Sequence, residues 1–333
     1  MQEKPPRGAN SEDSKGEART RVRKVVIDAD RVGQRIDNYL RSELPGVPKG
    51  RLYRILRRGE VRVNGGRVRA EYKLQAGDEV RIPPTRVREE GAPPSEKMAT
   101  DILDHVIFED KRLLVLNKPS GIAVHGGSGI SHGVIELLRH ARPDLKDLSL
   151  VHRIDRETSG CLVMAKRRSA LRALHEKFRE GQVEKNYLAL VVGNWQLGEQ
   201  LIDAPLYVQN RRGGERHVVV NHELGKSAQT RVSLSRTYGK YSLLLCAPLT
   251  GRTHQIRVHL DHLEFPILGD ERYGDDDANK RARKAGLKRL FLHAQSIAFV
   301  DDSGNDLHFT APLADDLEHF LATGIGNSRR TGL

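Results

Sequence analysis

Val151-His152-Arg153-Ile154-Asp155-Arg156-Glu157-Thr158-Ser159-Gly160-Cys161-Leu162-Val163-Met164 runs a dense polar loop straight into an apolar stretch. A short apolar run bounded by loop residues and Gly reads as a buried strand. Outward from it, residues 113–116, 187–191 and 241–245 read the same way, and Ala170, Leu171, Leu174 and Phe178 mark a helix closed by Gly181. Strands and helices do not alternate regularly. The pattern predicts an α+β domain with a mixed, largely antiparallel β-sheet and flanking helices over residues 101–323, rather than a doubly wound fold.

Charge divides the chain differently. Lys+Arg 56 against Asp+Glu 44 in 333 residues gives a net charge of +12, which points to a polyanionic partner, most simply nucleic acid. Residues 31–88 carry 15 Lys+Arg against 6 Asp+Glu, whereas residues 99–333 carry 33 against 29. The basic segment is too small to hold a large enzyme and reads as a nucleic-acid clamp in front of a nearly neutral body. No stretch approaches the roughly 20 apolar residues of a spanning helix, and the N-terminus lacks the apolar centre of a signal peptide. Neither a membrane nor secretion is expected. Two cysteines, Cys161 and Cys246, without a CxxC pair exclude a disulfide framework and a Cys-based zinc ribbon, and fit a reducing cytoplasm.

Residues 1–22 are polar, charged and poor in large apolar side chains, so disorder is expected. A compact unit follows over 23–84. Ile36, Tyr39, Leu40 and Leu44 share one helical face; Pro45 and Gly46 break that helix and Pro48 suits the start of another. Leu52, Ile55 and Leu56 form the second apolar stripe, while Arg51, Arg54 and Arg58 line a cationic, solvent-facing one. Asn64-Gly65 after Val61-Arg62-Val63 predicts a two-residue hairpin turn, and Val80-Arg81-Ile82 a further strand. Two helices followed by small strands, from Gly33 to Pro83, resemble the S4 (αL-type) RNA-binding domain. The proline-rich, aperiodic stretch 85–100 reads as a linker, and 324–333 as a polar tail.

The loop at 151–160 and the segment Gly251-Arg252-Thr253-His254-Gln255-Ile256-Arg257-Val258-His259-Leu260 are the two places where chemistry concentrates. Asp155 between Arg153 and Arg156 reads either as an ionised nucleophile or base, or as a turn acid in a surface salt-bridge network. In the second segment Thr253 suits a helix N-cap, which puts Arg257 in the first turns, and a buried Arg257 needs a carboxylate, for which Asp155 is a candidate. His254, His259 and His262 with Asp261 read alternatively as metal ligands, although HExxH spacing is absent. Gly126-Gly127-Ser128-Gly129-Ile130 is not GxSxG, and neither GxxxxGK[ST] nor GxGxxG after a strand occurs, so no nucleotide cofactor is expected. Asp275-Asp276-Asp277 reads as a solvated loop beside a basic helix over 280–289.

His152-Arg153-Ile154-Asp155-Arg156-Glu157-Thr158-Ser159-Gly160 resembles the HRLDxxTSG signature of the RluA family of pseudouridine synthases. Further segments match that family in order: Leu116-Asn117-Lys118-Pro119-Ser120-Gly121, Glu184-Lys185-Asn186-Tyr187-Leu188-Ala189, 251–260, Gly269-Asp270-Glu271-Arg272-Tyr273-Gly274 and Leu292-His293-Ala294. Gly33-Gln34-Arg35-Ile36-Asp37-Asn38, Gly46-Val47-Pro48-Lys49, Tyr53-Arg54-Ile55-Leu56-Arg57 and Val124-His125-Gly126-Gly127-Ser128-Gly129 are similar to members that modify large-subunit ribosomal RNA. Ile154 stands where Leu is usual, a volume-conserving change.

The resemblance implies a pseudouridine synthase fold behind an S4 domain, and isomerisation of uridines to pseudouridine in 23S rRNA or its assembly intermediates. Asp155 is then the nucleophile, Tyr187 the active-site tyrosine, Arg257 the partner of the aspartate, and Arg153 the residue that fills the space of the flipped base. His152, Arg51, Arg54 and Arg58 are counted with the RNA-contacting residues. No cofactor and no metal are implied, and a cytoplasmic monomer is expected. The rival readings are a non-catalytic RNA-binding or ribosome-assembly protein, and a metal-dependent RNA hydrolase built on the histidines near residue 260.

Overall fold

The computed structural model describes residues 21–44, 46–85, 93–126, 132–145, 147–210 and 216–325. Residues 1–20 of the segment 1–22 expected to be disordered and residues 326–333 of the expected tail 324–333 lie outside them, as do Pro45, residues 86–92 of the expected linker and the glycine-rich stretch 127–130. The chain divides into two compact units, Met1–Pro93 and Pro94–Leu333.

In the first unit, strand β1 (Arg23–Val26) precedes helices α1 (Ile36–Glu43) and α2 (Lys49–Arg57), then strands β2 (Arg62–Val63) and β3 (Glu79–Ile82). The apolar stripes of both helices are buried, and Leu52, Ile55 and Leu56 join Ile36, Tyr39, Leu40, Val63 and Val80 in one core. Tyr53 ties the helices together, its hydroxyl donating to Asp37 Oδ2 at 2.7 Å, while Arg35 grips the same carboxylate through two nitrogens at 3.1 and 2.8 Å. The turn at Asn64-Gly65 forms, with φ of 48° and 77° and two backbone bonds between Val63 and Gly66. No strand follows it directly, however. β2 pairs instead with β3, which sits between β1 and β2 in an antiparallel sheet, because Asp78 holds the intervening loop by accepting from Asn64 Nδ2, Tyr72 Oη and the Gln75 N–H.

The second unit opens with α3 (Glu96–Asp101), β4 (Val106–Glu109), β5 (Leu113–Lys118), α4 (Val134–Ala141), β6 (Ser149–Leu150), β7 (Ser159–Ala165) and α5 (Arg168–Arg179). It continues with β8 (Glu184–Val192), β9 (Gln200–Asp203), β10 (Leu206–Asn210), β11 (Arg216–Val220), β12 (Gln229–Tyr238) and β13 (Tyr241–Pro248). The last elements are α6 (Gln255–His262), α7 (Asp276–Lys284), β14 (Leu292–Val300), β15 (Asp306–Thr310) and α8 (Asp315–His319). Helix α3 starts inside the stretch read as linker, capped by Ser95, whose side chain accepts from the Met98 N–H at 3.2 Å. The run Asp275-Asp276-Asp277 is not loop either: Asp275 caps α7, accepting from the Ala278 N–H, and the next two acids sit in its first turn, where negative charge suits the helix dipole.

Ten strands make one sheet in the order β4-β5-β7-β14-β8-β13-β12-β9, with β15 on β14 and β6 on β7. Every pairing in it is antiparallel except β14 with β7, which is parallel at His293↔Ser159 and Ala294↔Gly160. All seven residues of β7 are buried. Gly160 has φ of +108°, and a Cβ there would stand 2.1 Å from the Ala294 carbonyl oxygen, so only glycine permits this crossing of strands. The polar loop 152–158 therefore leaves the sheet at the one place where its sense changes. Among the described residues, no helix is long and apolar enough to cross a membrane.

Candidate active site

Within the loop, Ile154 is turned inward at 8% exposure and joins a buried cluster with Val124, Leu162 and Ala294, which leaves Arg153 exposed and Asp155 half-buried on either side of it. The loop is pinned from β5. Lys118, fully buried, donates its ammonium to the carbonyls of Pro119, Ile122 and Arg156 at 2.7, 2.8 and 3.0 Å. The Gly121 N–H bonds the Arg156 carbonyl, Arg156 Nε returns a bond to the Gly121 carbonyl at 2.9 Å, and Ser120 Oγ donates to the Glu157 carbonyl at 2.7 Å. Burial, then the neighbouring Arg289 charge, pull the Lys118 ammonium down to about 7. The backbone carbonyl of the residue next to Asp155 is thus held by a side chain 38 positions away in sequence.

Arg257 lies in α6, where six consecutive residues from Gln255 to Leu260 are buried. Its Nε and Nη2 donate to the two oxygens of Asp270 at 2.7 Å each, and its remaining nitrogen, Nη1, reaches Asp155 Oδ2 at 3.4 Å. Sequence reading offers Asp155 as the carboxylate that a buried Arg257 needs, but Asp270 is the closer, bidentate partner and Asp155 the third contact. Burial, the largest single influence, would push the Asp270 carboxyl up; the hydrogen bonds and charge of Arg257 together with the backbone N–H groups of Arg272 and Tyr273 outweigh it and hold the carboxyl below its ordinary value. Asp270 belongs to a motif segment that by itself assigns it no role. The signal that could have assigned one is stoichiometric: a buried guanidinium has more donors than one carboxylate at a cleft surface can satisfy.

Tyr273 continues the array. The Arg257 guanidinium sits over its ring at 5.1 Å, and its hydroxyl accepts from the Val218 N–H at 3.1 Å and meets His254 Nδ1 at 2.8 Å. His254 itself takes the N-cap position of α6 with φ of 53°, displacing Thr253 from that expected role. Such a left-handed conformation is strained for a residue with a Cβ. The histidines do not converge on a metal: His259 is buried between Thr230 Oγ1 and the Ala204 carbonyl, each at 2.9 Å, His262 is exposed, and no metal-holding group of three ligands occurs among the described residues.

Asp155, Arg257 and Tyr187 line one cleft of about 920 Å³ with Arg153 and His152. Burial, then the charge of Asp155, then Cys161, push the Tyr187 phenol well above its ordinary value, so it stays protonated. His152 accepts the Val163 N–H on Nε2 at 3.0 Å and stacks on Phe178 with ring centroids 5.1 Å apart. Burial, then the Lys185 charge, push its imidazole down to about 3. The structure therefore brings four residues expected at the site to Asp155. In the first unit, Arg54 on α2 and Arg58 at its C-cap are exposed as expected, with Arg58 3.9 Å from Glu60. Arg51 departs from that solvent-facing stripe: it is half-buried, and its Nε is enclosed without an acceptor among the described residues.

Residues 112–262 match the RNA pseudouridylate synthase family and residues 34–80 the S4 domain. The chain is 53% identical over 304 residues to ribosomal large subunit pseudouridine synthase C of Pasteurella multocida, covering 90% of this chain and 93% of that protein. It is 51% identical over 306 residues to the enzyme of that name from Escherichia coli strain K12, covering 90% and 96%. Among solved structures, human RNA pseudouridylate synthase domain containing 4 is similar with a TM-score of 0.57 and 26% identity, over 68% of this chain and 95% of that one. With a largely antiparallel sheet following an S4 domain in sequence, and with relatives matched along nearly their whole length, the chain belongs to the RluA family of RNA pseudouridine synthases.

Proposed function

We propose that this protein isomerises specific uridines of 23S rRNA, or of its assembly intermediates, to pseudouridine, with Asp155 as the nucleophile. The observation that carries the reading is Asp155 at the cleft surface, touched by an arginine whose other edge is locked onto Asp270. In the reaction the N1–C1′ bond breaks, the uracil turns, C5 joins C1′, C5 gives up its proton and N1 gains one. Nothing is added, lost, oxidised or reduced, so the chemistry requires no redox or group-carrying cofactor. Arg257 orients Asp155. Tyr187 offers a ring face for the uracil and a hydroxyl for hydrogen bonding or proton transfer. Base-flipping is needed because a stacked uracil cannot rotate, and exposed Arg153 supplies a planar group for the vacated space. His152, committed to Val163 and Phe178, contacts RNA from the cleft wall. Arg51, Arg54 and Arg58 grip RNA backbone, and the protein acts as a cytoplasmic monomer. A non-catalytic ribosome-assembly role would give the Arg257 array nothing to do.

The test is pseudouridine mapping of large-subunit rRNA from cells whose only copy carries Asp155→Ala. The expected result is loss of particular pseudouridines that wild type restores; an unchanged map overturns the reading.

A further inference from the structure

Lys185 stands two residues before Tyr187 on β8, so the two side chains leave the same face of the strand, about 6.6 Å apart along it, and both line the cleft. Its surroundings are unusual for an ammonium. Lys185 has no carboxylate at ion-pair distance and no hydrogen-bond acceptor among the described residues, although it is half-buried. Its Nζ lies 5.8 Å from the centroid of the Phe178 ring, which carries stacked His152 as well. His152 cannot answer the charge, since its imidazole is held neutral. The last turns of α5 add His175 and Arg179 to the same wall, and Arg179 is an exposed cation spanning 3.6 Å to Glu176. A half-buried cation with no carboxylate beside it leaves a cleft poised to take an anion, whose pairing gains strength from the partial loss of water around the ammonium. Lys118 makes the contrast: it is more deeply buried, yet all three of its donors are used.

We propose that Lys185 is a phosphate-binding residue of the cleft, taking the RNA phosphate next to the uridine that Asp155 attacks. The proposal rests on the function given above, because RNA supplies the anion. A lysine suits the task, presenting a point charge to one phosphate, and the Phe178 ring beneath it keeps water from that side and strengthens the pairing. Tyr187 and Lys185 would then hold adjacent parts of one nucleotide: the base at the former, the phosphate at the latter.

Two measurements on the full-length protein decide it. Binding of a large-subunit rRNA transcript is measured across a salt series for wild type, Lys185→Met and Lys185→Arg. Removing the lysine from one phosphate is expected to lower the slope of log affinity against log salt by about 0.7–0.9, with Lys185→Arg retaining the wild-type slope. This readout needs no turnover. Pseudouridine formation on the same transcript is expected to show KM raised about tenfold by Lys185→Met with kcat within about twofold. Lys185→Gln repeats both measurements if Lys185→Met loses the native circular dichroism spectrum. An unchanged salt slope, or a fall in kcat at constant KM, overturns the phosphate assignment. Wild type that binds the transcript without forming pseudouridine overturns the function instead, and the slope alone then judges Lys185.

Discussion

In the first unit Arg54 on α2 and Arg58 at its C-terminal end are exposed, whereas in the second unit Arg257 is 8% exposed and shared between Asp270 and Asp155. The same side chain does two different jobs. An exposed arginine contributes long-range attraction to a polyanion and almost nothing to folding. A buried one is part of the fold, because its charge has left water and depends on the carboxylate that replaces water. Depth thus separates the two kinds of arginine: the exposed charges are open to screening by salt, and the buried one is coupled to its carboxylates and shielded.

The largest effect should come from breaking the buried side of that contrast. Asp270→Ala is expected to remove about 3–5 kcal/mol of stability in urea unfolding, and to slow pseudouridine formation about 100-fold in single-turnover assays, since Arg257 would lose the group that aims it at Asp155. The neighbouring residue is the control. Glu271 pairs with Arg283 at 2.7 Å on the surface, with both side chains more than half exposed, and Glu271→Ala should change stability by less than about 1 kcal/mol. Equal losses for the two variants would erase the distinction.

Acid should separate the units next. Burial pushes His293 down to about 4 and His152 down to about 3, both in the second unit, and the first unit has no histidine. Each imidazole binds a proton in the unfolded chain near pH 6.5 but not in the folded one until pH approaches 4 or 3. The unfolded state therefore takes up more protons in this window, and stability that is complete above about pH 6.5 is lost as pH falls. Trp195, the only tryptophan, is buried in the second unit, so the unfolding midpoint read by its fluorescence should drop between pH 6.5 and 4, and drop less in His293→Asn. A midpoint that stays level through this range would contradict the assignment.

The smallest effect on folding belongs to α2. Arg54→Ala with Arg58→Ala should change stability by no more than about 0.5 kcal/mol per site, while lowering the salt slope of RNA binding by about 0.7–0.9 for each phosphate left without its cation. An unaltered slope would remove α2 from the RNA-binding surface, and a large drop in stability would place it in the core.

Much of this can be read along the chain. The strands at β5, β7, β8 and β13 and the helices α1, α2 and α5 follow from apolar runs and 3.6-residue stripes, signals confined to a few neighbouring residues. Asp155, Tyr187 and Arg257 are legible through motif segments, and the cleft gathers them. Expectation and structure part where a local rule meets a distant partner. Thr253 is a good N-cap residue, yet His254 holds that position because its ring answers Tyr273, 19 residues later. Asn64-Gly65 makes its turn, but the strand beside β2 is β3, held by Asp78 from 14 residues away. Arg51 shares helical spacing with Arg54 and Arg58 and still turns partly inward.

A basic two-helix unit ahead of an α+β body, the family, and Asp155 as the candidate acid are all legible along the chain. Those depend on residue type and on spacing within one element, which the chain carries wherever it folds. Which carboxylate holds Arg257, why Lys118 is buried, why Gly160 must be glycine and why Lys185 meets no carboxylate among the described residues all depend on the packed fold. Each of these is settled by groups far apart in the chain: Arg257 and Asp155 are separated by 102 residues, Lys118 and Arg156 by 38. Charge and hydrogen-bond energies depend on depth and distance, and depth exists only once the sheet has brought those segments together.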